Sequence, residues 1–243
     1  MKQPHILCDK KDVAENILLP GDPARVLRAA EYLDSWSEIA FNREFRTLTG
    51  SYKGMPVTIC STGIGGPSMV IALEELIACG AKNFIRIGSA GASRSGIALG
   101  DLIIPTATVR EDGASRMYAE EGYPAAPDYY LLSALIETCR KQSLQFHVGI
   151  TRSHDSFYID DEAERMKKAN SMNVLGSDME TATLFTLASL RGVRAAAVLN
   201  NVVLYERDVK EGIGDYVDQS SLTARGEELE IQVALEALKE VLF

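Results

Sequence analysis

Three apolar runs in this chain end in glycine-rich loops. Residues 17–20 lead into Gly21-Asp22-Pro23-Ala24-Arg25, and residues 56–61 into Thr62-Gly63-Ile64-Gly65-Gly66-Pro67-Ser68. Residues 84–87 lead into Gly88-Ser89-Ala90-Gly91-Ala92. Buried strands that break into tight turns, with helical stretches between them, restrict the fold to an α/β sheet. In such sheets the carboxyl ends of the strands open into the ligand crevice. Glycine there lets backbone N–H groups approach an anion closely. Taken singly, each loop also reads as an ordinary turn. None carries the Gly-Lys-Ser/Thr of a Walker loop or the Gly-x-Gly-x-x-Gly of a dinucleotide fingerprint.

The remaining elements follow the same alternation. Periodicity predicts helices over 68–79, 128–141, 160–169, 181–190 and 227–242, and strands over 101–109, 146–151 and 194–204. A short β run is expected at 174–175. Asp22 is placed to cap a helix whose first turn tolerates Pro23. No repeat, low-complexity tract or Pro/Gly/Ser-rich linker divides residues 1–243, so one domain is expected. The polar stretch 210–225 reads as a loop that closes over a pocket.

Composition removes several classes of function. The net charge of −9 argues against a nucleic-acid partner, which calls for a basic face. The most apolar stretch, 184–204, is broken by Arg191 and Arg194, so no membrane span is expected. The first residues lack the apolar core of a signal peptide. Cys8, Cys60, Cys79 and Cys139 are far apart in sequence. This spacing predicts neither zinc nor a disulfide framework and suits a reducing cytoplasm.

Three groupings carry possible chemistry. Arg86 interrupts an apolar strand and Arg25 follows the first loop; a buried arginine is either ion-paired or holds an anion such as phosphate. Asp178-Met179-Glu180 opens a helix, where carboxylates commonly cap, yet a Glu beside a Met also suits sugar hydroxyls against an apolar wall. Ser153-His154-Asp155-Ser156 superficially suggests a hydrolase triad. Neighbours in sequence rarely build one and no nucleophile elbow is present, so a turn with aromatic packing is the expectation.

Together these segments carry a resemblance. With Asn42-Arg43-Glu44-Phe45-Arg46, residues 109–115 and Asp178-Met179-Glu180-Thr181-Ala182-Thr183, the chain resembles the hexameric nucleoside phosphorylases nearly end to end. That family contains uridine phosphorylase, bacterial purine nucleoside phosphorylase and methylthioadenosine phosphorylase. The resemblance implies a single-domain phosphorylase/hydrolase-like fold, with a mixed twisted central sheet surrounded by helices. It implies phosphate as co-substrate, bound by Gly21, Arg25, Arg86 and Ser89, with Arg43 completing the site of a neighbouring subunit. Arg86 and Glu180 are the residues on which catalysis would rest. His5, Met179 and Glu180 would hold the ribose, His5 from across the subunit boundary. Phe157, Val202 and Val203 would surround the base. The assembly implied is a hexamer built as a trimer of dimers. No cofactor is implied beyond a monovalent cation, K+, held at the dimer interface by Glu44, Ile64 and Ser68.

Base recognition departs from both main branches. Purine enzymes of the family carry an Asp where Val203 stands. Uridine enzymes read uracil with Gln-x-Arg, where Asp161 and Ala163 stand here; a supporting Arg near Tyr205 is replaced at best by Arg207. Residues 110–115 and 122–126 resemble uridine phosphorylase loops. Residues 157–162 and 182–187 look equally like methylthioadenosine phosphorylase. The uridine branch is the closer reading. The alternatives are a purine or methylthioadenosine phosphorylase, a hydrolytic nucleosidase and a non-catalytic nucleoside binder. The arginine trio argues against the nucleosidase, which has no phosphate to hold.

Overall fold

Strand β5 (Asn83–Ala92) organises the molecule. In the computed structural model, which describes residues 1–205 and 221–241, one edge of β5 pairs in parallel with β9 (Arg194–Val203) along its length. Its other edge is divided. Asn83 to Ile87 pair with β1 (Asn16–Pro20), whereas Gly91 and Ala92 pair with β8 (Gly176–Asp178). From β1 the sheet extends through β4 (Met55–Cys60) and β3 (Phe45–Tyr52) to β2 (Ser35–Asn42). From β8 it continues through β7 (Phe146–His154) and β6 (Leu102–Glu111), and β6 pairs antiparallel with β9. Strands β5, β8, β7, β6 and β9 thus close a ring, and the divided edge of β5 is where the sheet forks. A fork at the carboxyl end of parallel strands leaves a crevice.

Helices cover both faces. On one side α2 (Gly66–Ala78) and α6 (Thr181–Arg191) bury Met69, Leu73, Leu184 and Phe185 against the sheet. On the other, α1 (Pro23–Ala30), α4 (Tyr129–Lys141) and α7 (Ser221–Glu240) bury Val26, Leu131, Leu135, Ile231, Leu235 and Leu238. Two short helices, α3 (Gly113–Tyr118) and α5 (Glu162–Ser171), follow β6 and β7. This is the mixed α/β architecture expected.

Local chemistry explains most boundaries. Asp22 accepts a hydrogen bond from Ala24 N–H at 2.8 Å and Pro23 occupies the first turn of α1, as expected. Helix α2 starts at Gly66, two residues before its expected start at Ser68, because Pro67 is pre-set for a first turn. The strand expected at 174–175 lies at Gly176–Asp178 instead. The β2–β3 hairpin escapes a pattern search: β2 is largely exposed and so lacks apolar alternation. Its tip carries no Asn-Gly, and Arg43 itself adopts φ +54°. Of the loop expected at 210–225, residues 221–225 are the first turns of α7. The rest of that stretch, its expected closure and Arg207 lie outside the described residues.

Candidate active site

The fork of the sheet holds a cleft of about 710 Å³. All three glycine loops reach it: Gly21, Asp22, Pro23 and Arg25; Gly63 and Ile64; and Gly88, Ser89, Ala90 and Gly91. The first two are tied together, Gly63 N–H donating to the Gly21 carbonyl at 3.0 Å. Gly63 adopts φ +69°, and a Cβ there would lie 2.6 Å from Glu44 Cγ. Both constraints call for glycine.

Arg86 crosses the cleft floor. Its Nε donates to Asp178 Oδ2 at 3.0 Å and its Nη2 to Glu180 Oε2 at 2.5 Å. All three groups are buried. The third nitrogen, Nη1, is buried with no hydrogen-bond partner among the described residues. The guanidinium folds back over its own strand, and a Cβ on Gly88 would lie 2.6 Å from Arg86 Nη2. Gly88 therefore makes room for the arginine. Asp178 also caps α6, accepting from Thr181 N–H at 3.1 Å, and it accepts from Ser153 Oγ. Glu180 is not a side-chain cap; its Oε1 accepts Gly65 N–H at 2.5 Å. Burial pushes the Glu180 carboxyl above its ordinary range, with Arg86 opposing. The ion-pair reading of Arg86 is therefore observed, and the capping reading holds for Asp178 and not for Glu180.

Arg25 approaches from α1. Its Nη2 lies 3.2 Å from Ser89 Oγ, and its other face meets two carboxylates of α7: Nε–Glu227 Oε2 at 2.9 Å and Nη1–Glu230 Oε1 at 3.2 Å. Glu227 also binds Arg28. Glu230 Oε2 accepts Gly88 N–H at 3.2 Å, joining the helix to the third glycine loop. Sequence reasoning missed Glu227 and Glu230. Their signal was present, since two acids at (i, i+3) adjoin Ile231 on an otherwise apolar helix face, but nothing local says which cation they meet.

Burial, with the negative Glu227 beside it, pushes the Glu230 carboxyl up to about 8 against the pull of Arg25 and Arg86. The folded state then holds a proton that the unfolded chain releases near 4.5. Folding stability is expected to fall as pH rises between these values, by up to about 1.4 kcal/mol per pH unit. Urea denaturation of the wild type across that window should show the slope, and Glu230→Gln should flatten it.

Part of the cleft lining is apolar. Phe157, Val202 and Val203 line the cleft with Ser177 and Met179. Phe157 packs edge-on against Tyr158, with centroids 5.2 Å apart. His154, expected only to form a turn, lines the cleft as well. Of the residues expected to bind phosphate or ribose, two do not line this chain's cleft. His5 is held at Glu75, Nδ1 to Oε1 at 2.6 Å, and Arg43 is exposed at the β2–β3 tip. Glu44 and Ile64 do line it, and Ser68 Oγ donates to Glu44 Oε1 at 2.7 Å. That bond holds the Glu44 carboxyl below its ordinary range.

The class defined by this arrangement is an α/β protein that presents arginines, glycine-loop amides and a deep carboxylate to one cleft, beside an apolar wall. The chain belongs to the Phosphorylase superfamily, whose pattern matches residues 16–200. It is 46% identical over 208 residues to the uridine phosphorylase of Thermococcus kodakarensis, covering 81% of this chain and 75% of the relative. It is 42% identical over 197 residues to the guanosine phosphorylase of Halorubrum lacusprofundi, covering 81% of each. The crystal structure of uridine phosphorylase from Vibrio fischeri superposes with a TM-score of 0.93 at 44% identity, over 98% of both chains. Among the described residues no helix is long and apolar enough to cross a membrane.

Proposed function

We propose that the protein is a uridine phosphorylase, cleaving the N-glycosidic bond of uridine with phosphate to give uracil and ribose 1-phosphate. The observation that carries the phosphate half is the buried Nη1 of Arg86, which lines the cleft and has no hydrogen-bond partner among the described residues. A donor left unsatisfied in a dry site is costly, and an anionic oxygen relieves it with a charge-assisted bond. Arg25, Ser89 and Gly21 line the same cleft. In this reading they hold phosphate in line with C1′. The C1′–N bond breaks as the C1′–O bond forms, and the bonding pair leaves with the base. Positive charge develops on the sugar, where Glu180 binds the ribose hydroxyls beside Met179 and supplies opposing charge.

The reading extends to assembly. Arg43 and His5 lie off their own chain's cleft, so their implied roles require a second copy. The unit proposed is a dimer with shared sites, assembled into a hexamer in the cytoplasm. The oxygen donors of Glu44, Ser68 and the Ile64 carbonyl suit a hard monovalent cation such as K+ at that interface, as a purely structural ion. The similarity to a guanosine phosphorylase favours a second reading, a purine base in the same cleft.

A panel of uridine, thymidine, inosine, adenosine and methylthioadenosine, each with and without phosphate, tests the proposal. Uridine is expected to be cleaved in phosphate and left intact without it. Cleavage of purines alone would move the enzyme to the second reading, and phosphate-independent cleavage would make it a nucleosidase.

A further inference from the structure

By the resemblance, the base end of the cleft has Asp161 and Ala163 where uridine enzymes of the family carry Gln-x-Arg. It nevertheless contains one titratable side chain not yet given a task. His154 is the last residue of β7 and lines the cleft with Phe157, Ser177, Val202 and Val203. Its Nδ1 lies 2.9 Å from the backbone carbonyl of Ser156. A carbonyl only accepts, so Nδ1 carries the hydrogen. In a neutral imidazole the other nitrogen, Nε2, is then an acceptor and nothing else. It has no hydrogen-bond partner among the described residues.

The surroundings favour that neutral form. Burial lowers the His154 pKa first, and Arg152 on the same strand lowers it further; Glu162 of α5, Asp178 of β8 and the Ser156 carbonyl act the other way, and the net direction is down. The ring thus presents a fixed acceptor beside three apolar side chains. An acceptor set in such a wall selects for a donor, because a base edge that offers a lone pair leaves both groups unsatisfied.

We propose that His154 reads the base by accepting, through Nε2, the ring N3–H of uracil, and so selects pyrimidines that carry this imide N–H. This assignment rests on the phosphorylase reading above. Cytosine has no hydrogen at N3 and is rejected by the same geometry. The role is recognition: the contact orients the base against Phe157 while phosphate is held at the opposite end.

Initial rates in phosphate with uridine and 3-methyluridine test the assignment, on the wild type, His154→Phe and His154→Gln. The methyl group removes the N3 donor. The wild type is expected to favour uridine in kcat/KM by roughly 5- to 100-fold, the range of one buried hydrogen bond. H154F keeps a flat ring without the acceptor. It is expected to lose most of its activity on uridine and most of the discrimination. H154Q offers an amide oxygen, and recovery of discrimination there separates the hydrogen bond from simple filling of space. Equal wild-type rates on the two nucleosides would overturn the assignment without needing any variant. So would undiminished discrimination in H154F, which would make the methyl effect steric. A wild type that does not cleave uridine in phosphate would overturn the activity itself, a failure distinct from either of these.

Discussion

Arg86→Ala is expected to lower phosphate-dependent cleavage of uridine by at least ~100-fold, the scale on which removing one preorganised charge contact slows a reaction. Arg86 lines the cleft and is buried there. Two of its nitrogens hold Asp178 and Glu180, and the third is buried without a partner among the described residues. Removing it deletes the proposed phosphate donor and also frees Glu180 from the geometry in which it would meet the ribose. The loss should appear in kcat and in KM for phosphate together. Rates taken well below the unfolding transition, with circular dichroism alongside, separate this from misfolding. An unchanged rate in folded R86A would sink the assignment of the cleft floor to phosphate.

The second large effect is on stability. Asp178→Ala is expected to destabilise the fold by ~3–5 kcal/mol, the range for breaking a buried pair and stranding the remaining charge. Asp178 accepts from Arg86 Nε, from the backbone and hydroxyl of Thr181, and from Ser153. It therefore joins β5, β7 and the start of α6 at one carboxylate. For a chain of this size the loss corresponds to a fall of about 6–20 °C in Tm. Asp178→Asn keeps hydrogen-bonding capacity without the charge and should fall between. A Tm within a degree or two of wild type for D178A would show that Arg86 finds another partner.

The two effects illustrate what is local and what is not. Asp22 as a cap, Pro23 at the start of a helix and the three glycine loops were legible because each is decided within a few residues. The same holds for α4, whose expected bounds of 128–141 take in its cap, Asp128, which binds the amides of Tyr130 and Leu131. The β2–β3 hairpin was not legible. An exposed edge strand carries no apolar alternation, and its turn rests on a non-glycine residue at positive φ. His154 was passed over for a related reason. A histidine among serines reads as a turn until the fold shows that it ends β7 and lines a cleft.

The arginines mark the boundary most clearly. That Arg86 must be compensated follows from its strand alone, because an isolated charge in an apolar run is costly to bury. Which groups compensate it does not follow. Its partners lie 92 and 94 residues away, and Arg25 meets Glu227 across 202. The sequence by itself determined the alternation of strands and helices, the glycine loops and the residue types available to hold an anion. Only the tertiary structure decided that β5 splits its edge between β1 and β8. That split closes the five-strand ring, opens the cleft at the fork and brings α7 against Arg25. The physical reason is range. Periodicity and capping act over one or two turns, whereas the order of strands in a sheet is settled by burial of whole faces, which no short window of sequence records.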